Sequence, residues 1–220
     1  MRIIDAEWEK RNLGVTCYEC VVEKPDKLEE VSETIPRLNE RDYIVVRIPS
    51  VRTDVMPHFQ KSGYSFMEAA ILLENRLSER TFPKKMGKIL EKITWEQMNS
   101  EDLKLLYNEI RKGIFKTDRI VLDPFFSKDQ AAHRYECWTK DLVKGGDIPY
   151  KVAYQGKVVG FFLNKEVKQG VFDGLLAGTY SEYEGSGMGV CIQFAGLEYA
   201  REKNGKKYIG HVSANNPAVF

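Results

Sequence analysis

The spacing of hydrophobic and polar residues changes repeatedly between the periods of strands and helices, which predicts a mixed α/β protein. In the first part of the chain this spacing predicts two strands and two helices, which alternate at 15–23, 27–38, 43–49 and 53–62. Residues 66–77 are apolar, with a mixed period that fits a strand or a helix. The charged segment 79–88 contains one proline and one glycine, so it is the best candidate for a linker between two units.

The second half of the chain has clearer signals for individual elements. Helical spacing covers 101–112, and Ser127 with Gln130 forms a capping box that begins another helix. Gln155 and Gly156 separate two apolar segments, which is typical of a β-hairpin. The remaining segments predict strands at 88–94, 171–180 and 206–213, a loop at 117–126 and a helix from 189 to 204.

Composition and charge exclude several classes of protein. Hydrophobic residues make up 43% of the chain, which is too many for a disordered protein. The 33 Lys and Arg residues against 32 Asp and Glu residues give a net charge of +1, without the basic excess of a nucleic-acid-binding protein. The N-terminal MRIIDAEWEK has acidic residues where a signal peptide needs an apolar region. We therefore expect a cytoplasmic protein with no nucleic-acid partner and no membrane partner.

Cys17 and Cys20 form a C-x-x-C pair, a pattern that can indicate a redox site or half of a metal site. The pair lies in a β-branched run that predicts a strand, whereas a redox pair usually begins a helix. No second C-x-x-C is present to complete a Cys₄ zinc site. We interpret both cysteines as ordinary strand residues and predict no metal site.

The segment most informative about function is a glycine-rich turn between a predicted strand and a predicted helix. This segment, the glycine turn, consists of Glu184, Gly185, Ser186, Gly187, Met188 and Gly189. Glycine lets a ligand approach the backbone closely, and the first N–H groups of a helix are unpaired and carry partial positive charge. Such a turn can bind a pyrophosphate group without lysine or arginine. A nearly neutral protein could therefore still bind an anionic cofactor.

Two common phosphate-binding motifs do not fit this context. A Rossmann fingerprint follows the first strand of a parallel unit, whereas the glycine turn follows three strands that we expect to be antiparallel. A P-loop needs Gly-Lys followed by Ser or Thr, which is absent here. A glycine-rich turn that binds no ligand remains an alternative.

The order of elements around the turn resembles the GNAT superfamily of N-acyltransferases. A hairpin, a third strand, the Y-x-G-x-G-x-G turn, a helix, a strand and N-N-P-A-V follow one another within 89–220. The superfamily motif [RQ]-x-x-G-x-[GA] matches Glu184, Gly187 and Gly189. The resemblance implies the GNAT fold, which is a mixed, mostly antiparallel sheet with splayed central strands and flanking helices.

A closer resemblance is to bacterial dTDP-4-amino-4,6-dideoxygalactose (fucosamine) acetyltransferases. Residues 122–142 are similar to the region before their hairpin, and residues 48–74 are similar to their additional N-terminal domain. The resemblance implies an N-terminal α/β domain at 1–82 and a GNAT acetyltransferase domain at 88–220 that lacks its last strands.

The resemblance also implies roles for residues of a cofactor site. The backbone of Gly178 and Thr179 would bind the pantetheine of acetyl-CoA, and the N–H groups of the glycine turn would bind its pyrophosphate. Asn216 would contact the cofactor from the start of the following helix. Glu184 stands where the family has Arg or Gln, so we expect its side chain to point to solvent.

The candidate catalytic residues are Asp173 and His211. Asp173 could take the proton of the acceptor amine, although it could equally be an acid at the start of a strand. His211 could be a general base, although a strand histidine with satisfied hydrogen bonds and no catalytic role is the more common case. The tyrosine that acts as general acid in the family would lie beyond Phe220.

These observations predict an acetyl-CoA-dependent N-acetyltransferase that acts on the amino group of a small acceptor. The closer resemblance implies a nucleotide-linked amino sugar such as a dTDP-amino sugar. Two alternatives remain open. One is an acetyltransferase for a peptide or another small amine, and the other is a CoA-binding or assembly module with impaired catalysis. A homodimer is a further expectation.

Overall fold

A computed structural model describes residues 1–78 and 84–219 of the chain and divides it into two compact units, Met1–Met67 and Glu68–Phe220. The smaller unit contains β1 (Arg2–Asp5), α1 (Trp8–Asn12), β2 (Cys17–Val21), α2 (Leu28–Thr34), β3 (Tyr43–Arg47) and α3 (Met56–Lys61). β2 is the central strand, antiparallel to β1 and parallel to β3. Its core includes Val31 and Phe59, so the smaller unit is an α/β unit with a hydrophobic core of its own.

Cys17 and Cys20 both lie in β2 but face opposite sides of its sheet. Cys17 packs with Val45 in a small cluster, whereas Cys20 packs with Phe59 in the main core of this unit. Neither cysteine forms a disulfide. Burial and, to a smaller extent, the charge of Glu19 raise the pKa of the Cys20 thiol to about 11. The interpretation of the pair as strand residues agrees with this placement.

The larger unit is built on a six-stranded sheet with the order β4-β9-β8-β7-β6-β5. Its elements are β4 (Ala70–Arg76), α4 (Lys84–Leu90), β5 (Ile93–Gln97), α5 (Ser100–Arg111), α6 (Arg119–Leu122), α7 (Lys128–Lys144), β6 (Tyr150–Tyr154), β7 (Lys157–Lys168), β8 (Val171–Thr179), α8 (Gly189–Glu202) and β9 (Lys207–Ser213). All neighbouring strands are antiparallel except β8 and β9, which are parallel. The mixed, mostly antiparallel sheet expected from the sequence is confirmed.

Helices cover both faces of this sheet. On one face, α8 buries Ile192 against Phe162 of β7. On the other face, α5 and α7 bury Leu106 and Tyr135 against Phe161. Consecutive residues of β7 therefore enter different cores, because successive side chains of a strand point to opposite faces.

β8 and β9 begin side by side and then separate. They are joined by only three residue pairs, of which the last is Asp173 with Ile209. β8 continues to Thr179 and remains paired with β7, and β9 continues to Ser213. The expected splayed strands are confirmed. The space between the two strands, which we call the gap, opens toward their carboxyl ends.

Hydrogen bonds between side chains of β9 and β7 hold α8 against the sheet near the gap. The Tyr208 ring of β9 lies across Gly174 of β8, where an added Cβ atom would overlap the ring. The Tyr208 hydroxyl donates to Asn164 Oδ1 (2.8 Å), and Asn164 Nδ2 donates to the Gly196 carbonyl oxygen of α8 (2.8 Å). The middle of α8 is thereby held against the sheet near the place where β8 and β9 separate.

The boundary between the units differs from the one expected from the sequence. Residues 66–77, which fit a strand or a helix by pattern, contain β4, and β4 pairs antiparallel with β9 from Ala70 with Ser213 to Arg76 with Lys207. β4 therefore belongs to the larger unit, and the division falls after Met67 instead of at 82. Local pattern could not show this, because the partner strand lies at the other end of the chain.

Two more segments differ from their predicted structure. The predicted strand 88–94 begins inside α4, and the strand itself starts at Ile93. The predicted loop 117–126 contains α6, which Asp118 caps by accepting a hydrogen bond from the Ile120 N–H (2.7 Å). In the predicted linker, residues 79–83 lie outside the described residues, and residues 84–88 belong to α4.

Two predictions of local structure are confirmed. The capping box at the start of α7 is present, with Ser127 and Gln130 each accepting a hydrogen bond from the backbone N–H of the other. The hairpin between β6 and β7 turns at Gln155 and Gly156, and both have positive φ, at 51° and 79°. Positive φ at both positions is what a two-residue hairpin turn requires.

Gly160→Ala tests the close packing of β7 on β8 and α8. A Cβ atom at Gly160 would overlap the Gly178 carbonyl oxygen and Ile192 Cδ1, both closer than 3.0 Å. We expect this change to lower the free energy of unfolding by about 2 kcal/mol or more, measured by urea denaturation. Gly210→Ala in β9 is the control, because a Cβ there meets nothing within 4 Å, and its effect should stay below about 0.5 kcal/mol. Equal effects of the two changes would contradict the packing described here.

Candidate functional site

The glycine turn lies between the carboxyl end of β8 and the start of α8. A 3₁₀ helix, Ser181–Tyr183, precedes the turn, and α8 begins at Gly189. Gly185 and Gly187 have φ angles of 72° and 80°, a conformation that residues with a Cβ atom rarely adopt. An added Cβ atom at either position would meet nothing within 4 Å. The turn is therefore open on this side.

Three backbone N–H groups of the turn have no hydrogen-bond acceptor within the part of the chain that the structure describes. They belong to Gly185, Gly187 and Gly189, whereas the N–H groups of Ser186 and Met188 donate within the segment. Unpaired N–H groups at the start of a helix, together with the positive end of its dipole, can bind the oxygens of a phosphate group. The arrangement is chemically suited to an anionic ligand.

The strand that precedes the turn has one open edge. Beyond Asp173, β8 pairs with β7 alone among the described strands, so the backbone groups directed to its other side face the gap. Gly178 and Thr179, for which the resemblance implies contact with a cofactor, are the last two residues of this edge. An open strand edge can bind an extended chain that contains amide groups through main-chain hydrogen bonds.

A buried carboxylate on α5 fixes the segment between β8 and the turn. Glu109 Oε2 accepts hydrogen bonds from the backbone N–H and the hydroxyl of Ser181, both at 2.8 Å, and Lys112 pairs with the other oxygen. Glu109 is 5% exposed. Burial raises the pKa of the Glu109 carboxyl, but the hydrogen bonds from Lys112 and Ser181 outweigh this effect and lower it overall. Glu109 is therefore charged at neutral pH and holds Ser181 in place.

The Glu184 side chain is exposed, in agreement with its expected direction, and it pairs with Lys116. Lys116 Nζ lies 2.5 and 2.7 Å from the two carboxylate oxygens. Lys116 belongs to the loop after α5, and Ile114 and Phe115 of the same loop lie beside Gly178. A loop that is distant in sequence therefore contacts the end of β8 and brings an ammonium group to the glycine turn.

Asp173 and His211, the candidate catalytic residues, lie on the same face of the sheet where β8 and β9 separate. Asp173 pairs with Ile209, and His211 is two residues further along β9, so the side chains of all three share a face. Phe172 and Tyr208 pack on the α8 side, which places Asp173 and His211 on the opposite side. Burial raises the pKa of the Asp173 carboxyl, and the charge of His211 acts in the opposite direction.

Asn216 follows β9, and its backbone N–H donates to the Ser213 carbonyl oxygen at 2.9 Å. Because β8 and β9 are parallel, Asn216 and the glycine turn both follow strand ends at the same edge of the sheet. The Asn216 side chain makes no hydrogen bond to any described residue. Asn216 thus lies at the same end of the sheet as the glycine turn, but its side chain makes no hydrogen bond to the described residues of the turn.

No group of three or more histidine, cysteine, aspartate or glutamate side chains within 1–78 and 84–219 could hold a metal ion. His133 and Cys137 on α7 are close, with 3.4 Å between Nε2 and Sγ, but they form only a pair. Among the helices that the structure describes, none is long and apolar enough to cross a membrane.

Solved structures share the architecture of this sheet and its helices. The chain is similar to a GCN5-related N-acetyltransferase from Sphaerobacter thermophilus, with a TM-score of 0.53 and 14% identity over 79% of this chain and 51% of that chain. It is also similar to one from Kribbella flavida, with a TM-score of 0.55 and 12% identity over 90% of this chain and 71% of that chain. The chain has the GNAT fold. No family model and no curated protein matches the sequence.

The chain is also similar to a functionally unknown conserved protein from Staphylococcus epidermidis. Its TM-score is 0.57, with 9% identity over 93% of this chain and 77% of that chain. The present chain spans about half the length of the Sphaerobacter thermophilus protein. The likeness to these structures, at 9–14% identity, is therefore one of fold.

Sequence reasoning missed two residues that shape this site, Glu109 and Lys116. Glu109 contacts a residue 72 positions away, and Lys116 contacts one 68 positions away. No local pattern encodes contacts of this range. The one available signal was the basic cluster Arg111–Lys116 at the end of a predicted helix.

Glu109→Gln tests the anchor of the segment before the turn. We expect it to lower the free energy of unfolding by about 1–3 kcal/mol, because it removes a charged acceptor and the partner of Lys112. Glu101→Gln on the same helix is the control, since Glu101 is exposed and pairs with exposed Lys104, and its effect should stay below about 0.5 kcal/mol.

The stabilisation that Glu109 provides depends on pH, and the lowered pKa of its carboxyl fixes the direction of this dependence. Because the pKa of Glu109 is lowered in the folded state, its stabilisation is present above the ordinary carboxyl pKa and is lost as the pH falls through the folded value. The difference between wild type and Glu109→Gln in urea denaturation should therefore shrink as the pH is lowered below about 4. A difference that grows in acid would contradict this account of Glu109.

Proposed function

We propose that this chain is an acetyl-CoA-dependent N-acetyltransferase that acetylates the amino group of a small acceptor. The observation that carries the proposal is the glycine turn, whose unpaired N–H groups at the start of α8 follow the open edge of β8 after the short 3₁₀ helix Ser181–Tyr183. A strand edge suited to an extended amide chain and donors suited to a diphosphate therefore follow one another along the chain. Acetyl-CoA contains these two parts in the same order. The GNAT fold supports this choice of ligand.

Each part of acetyl-CoA then has residues suited to bind it. The N–H groups of Gly185, Gly187 and Gly189 bind the pyrophosphate. The edge of β8 that ends at Gly178 and Thr179 binds the two amides of pantetheine, which places the thioester in the gap. Asn216, at the same edge of the sheet, contacts the cofactor from the far side of the gap.

The reaction is direct transfer of the acetyl group to an amine. The amine nitrogen bonds to the thioester carbonyl carbon, the carbon–sulfur bond breaks, and CoA leaves as the thiol. The amine arrives as an ammonium ion, so one proton must be removed before attack, and the second proton lost by nitrogen balances the thiolate. Asp173 lies at the gap and accepts the first proton, with His211 on the same face as the second candidate base. The raised pKa of the Asp173 carboxyl makes it a stronger base than an ordinary aspartate.

The acceptor reaches the gap from the face opposite α8, which is the side of Asp173 and His211. The loop Asp123–Phe126 borders α7 on this face, and its Phe125 side chain is 58% exposed. We favour a dTDP-amino sugar as the acceptor, because residues 122–142 resemble the fucosamine acetyltransferases. Such a reaction takes place in the cytoplasm, where nucleotide-linked sugars are made.

Gly187→Val tests the placement of the cofactor. Valine at a φ of 80° is strained, and its side chain would extend over the open surface of the turn, so we expect CoA binding measured by calorimetry to be lost. Gly63→Val is the matched control, because Gly63 has a φ of 90° and an equally open surface but lies in the smaller unit. Retained affinity in Gly187→Val, or equal loss in both variants, would reject the placement.

The activity itself is tested by following release of free thiol from acetyl-CoA with a panel of acceptors. The panel contains a dTDP-amino sugar, a peptide with a free amino terminus and a simple alkyl amine. We expect thiol release with the amino sugar to exceed release with the other two amines. CoA binding without transfer to any acceptor would sink the enzyme proposal and leave a CoA-binding module.

Asp173→Asn tests the role of the carboxylate at the gap. We expect kcat to fall by about 100-fold, as for loss of a general base, while the affinity for CoA stays within twofold. Ionised Asp173 is unfavourable in the fold because its pKa is raised, so the variant should be at least as stable as wild type at pH 7 by thermal denaturation. A drop in stability with an unchanged kcat would show that Asp173 is only structural.

A further inference from the structure

Three basic side chains lie at the end of α5 and in the loop that follows it, and each pairs with a carboxylate. The pairs are Arg111 with Glu136, Lys112 with Glu109, and Lys116 with Glu184. The loop that carries Lys116 contacts β8 at Gly178, and Glu184 is the first residue of the glycine turn. One of these cations is therefore held directly beside the proposed pyrophosphate site.

The three carboxylates differ in how much water reaches them. The Glu136 and Glu109 side chains are 2% and 6% exposed, whereas the Glu184 side chain is 62% exposed. Removing Lys112 leaves the buried Glu109 carboxylate without its cation, which is strongly unfavourable. Arg111 donates two hydrogen bonds to buried Glu136, which also pairs with Lys140. Glu184 can exchange its partner for water at little cost, because exposed ion pairs contribute little to stability. Of these three cations, Lys116 is therefore the one that is released to a ligand at the lowest cost.

The charges at the glycine turn favour movement of the Lys116 ammonium group from Glu184 to a bound anion. A carboxylate at the entrance of an anion site repels a diphosphate, and Lys116 neutralises this carboxylate while the site is empty. A diphosphate carries more negative charge than one carboxylate and would lie against the neighbouring N–H groups of Gly185 and Gly187. The ammonium group is therefore attracted more strongly to the bound anion than to Glu184.

We infer that Lys116 is a cofactor-binding residue that transfers its ammonium group from Glu184 to a phosphate of CoA when the cofactor binds. This inference rests on the proposed function, since it assumes that CoA occupies the glycine turn. In this arrangement Lys116 attracts the cofactor and Glu184 competes with the cofactor for Lys116. The two members of one ion pair therefore have opposite effects on affinity.

The opposite effects separate this role from a purely structural one. If the pair only ordered the turn, removal of either partner would weaken CoA binding. If Lys116 is transferred to the cofactor, Lys116→Met weakens binding, whereas Glu184→Gln strengthens it by removing both the competitor and the repelling charge. Glutamine keeps the size of the side chain, so the change of sign reports charge alone.

The experiment is calorimetric titration of the full chain with CoA and with pantetheine, which lacks phosphate, at 50 and about 300 mM salt. We expect Lys116→Met to raise the Kd for CoA about fivefold and to reduce its salt dependence, and Glu184→Gln to lower the Kd about threefold. Neither variant should change binding of pantetheine. Lys104→Met, which removes an exposed lysine paired with Glu101, should leave every value within twofold.

Each result has a defined meaning. An unchanged Kd in Lys116→Met, or a raised Kd in Glu184→Gln, overturns the inference while wild-type binding of CoA leaves the proposed function in place. Absence of CoA binding to wild type overturns both. Equal effects on CoA and pantetheine also overturn the inference, because Lys116 would then act on the shape of the site and not on a phosphate.

Discussion

The candidate site depends on the separation of β8 from β9 after the pair of Asp173 with Ile209. Parallel strands that stayed paired would use their backbone groups on each other and leave no edge for a ligand. Here the pairing ends early, and α8 is held over the same place by the hydrogen bonds from Tyr208 through Asn164 to Gly196. The open edge and the two titratable residues of the gap are therefore consequences of one feature of the sheet.

Helix α5 and the loop that follows it contact the segment after β8 through two charged side chains. Glu109 binds Ser181 from the buried surface of α5, and its lowered pKa keeps it charged. Lys116 reaches Glu184 from the loop after the same helix. One helix and its loop thus provide a permanent anchor on the buried side and an exchangeable ion pair on the exposed side. Burial decides which of the two contacts is fixed.

The sequence predicted those parts of the protein that depend on local chemistry. The capping box at Ser127, the hairpin at Gln155 and Gly156 and the glycine turn each follow from the residue types at neighbouring positions. The parts that it did not predict depend on distant contacts. β4 joins the larger unit because β9 pairs with it, and the contact of Lys116 with Glu184 spans 68 residues. The α6 turn was missed because a single capping residue, Asp118, begins it.

The central claim is that acetyl-CoA lies with its pyrophosphate on the unpaired N–H groups of the glycine turn. Selective ¹⁵N labelling of glycine makes this directly visible, because the chain has only 17 glycines and three of them carry these groups. We predict that titration with CoA shifts the amide signals of Gly185, Gly187 and Gly189 most, and that the signal of Gly63 in the smaller unit does not move. Saturating CoA that leaves the three signals unchanged would contradict the account.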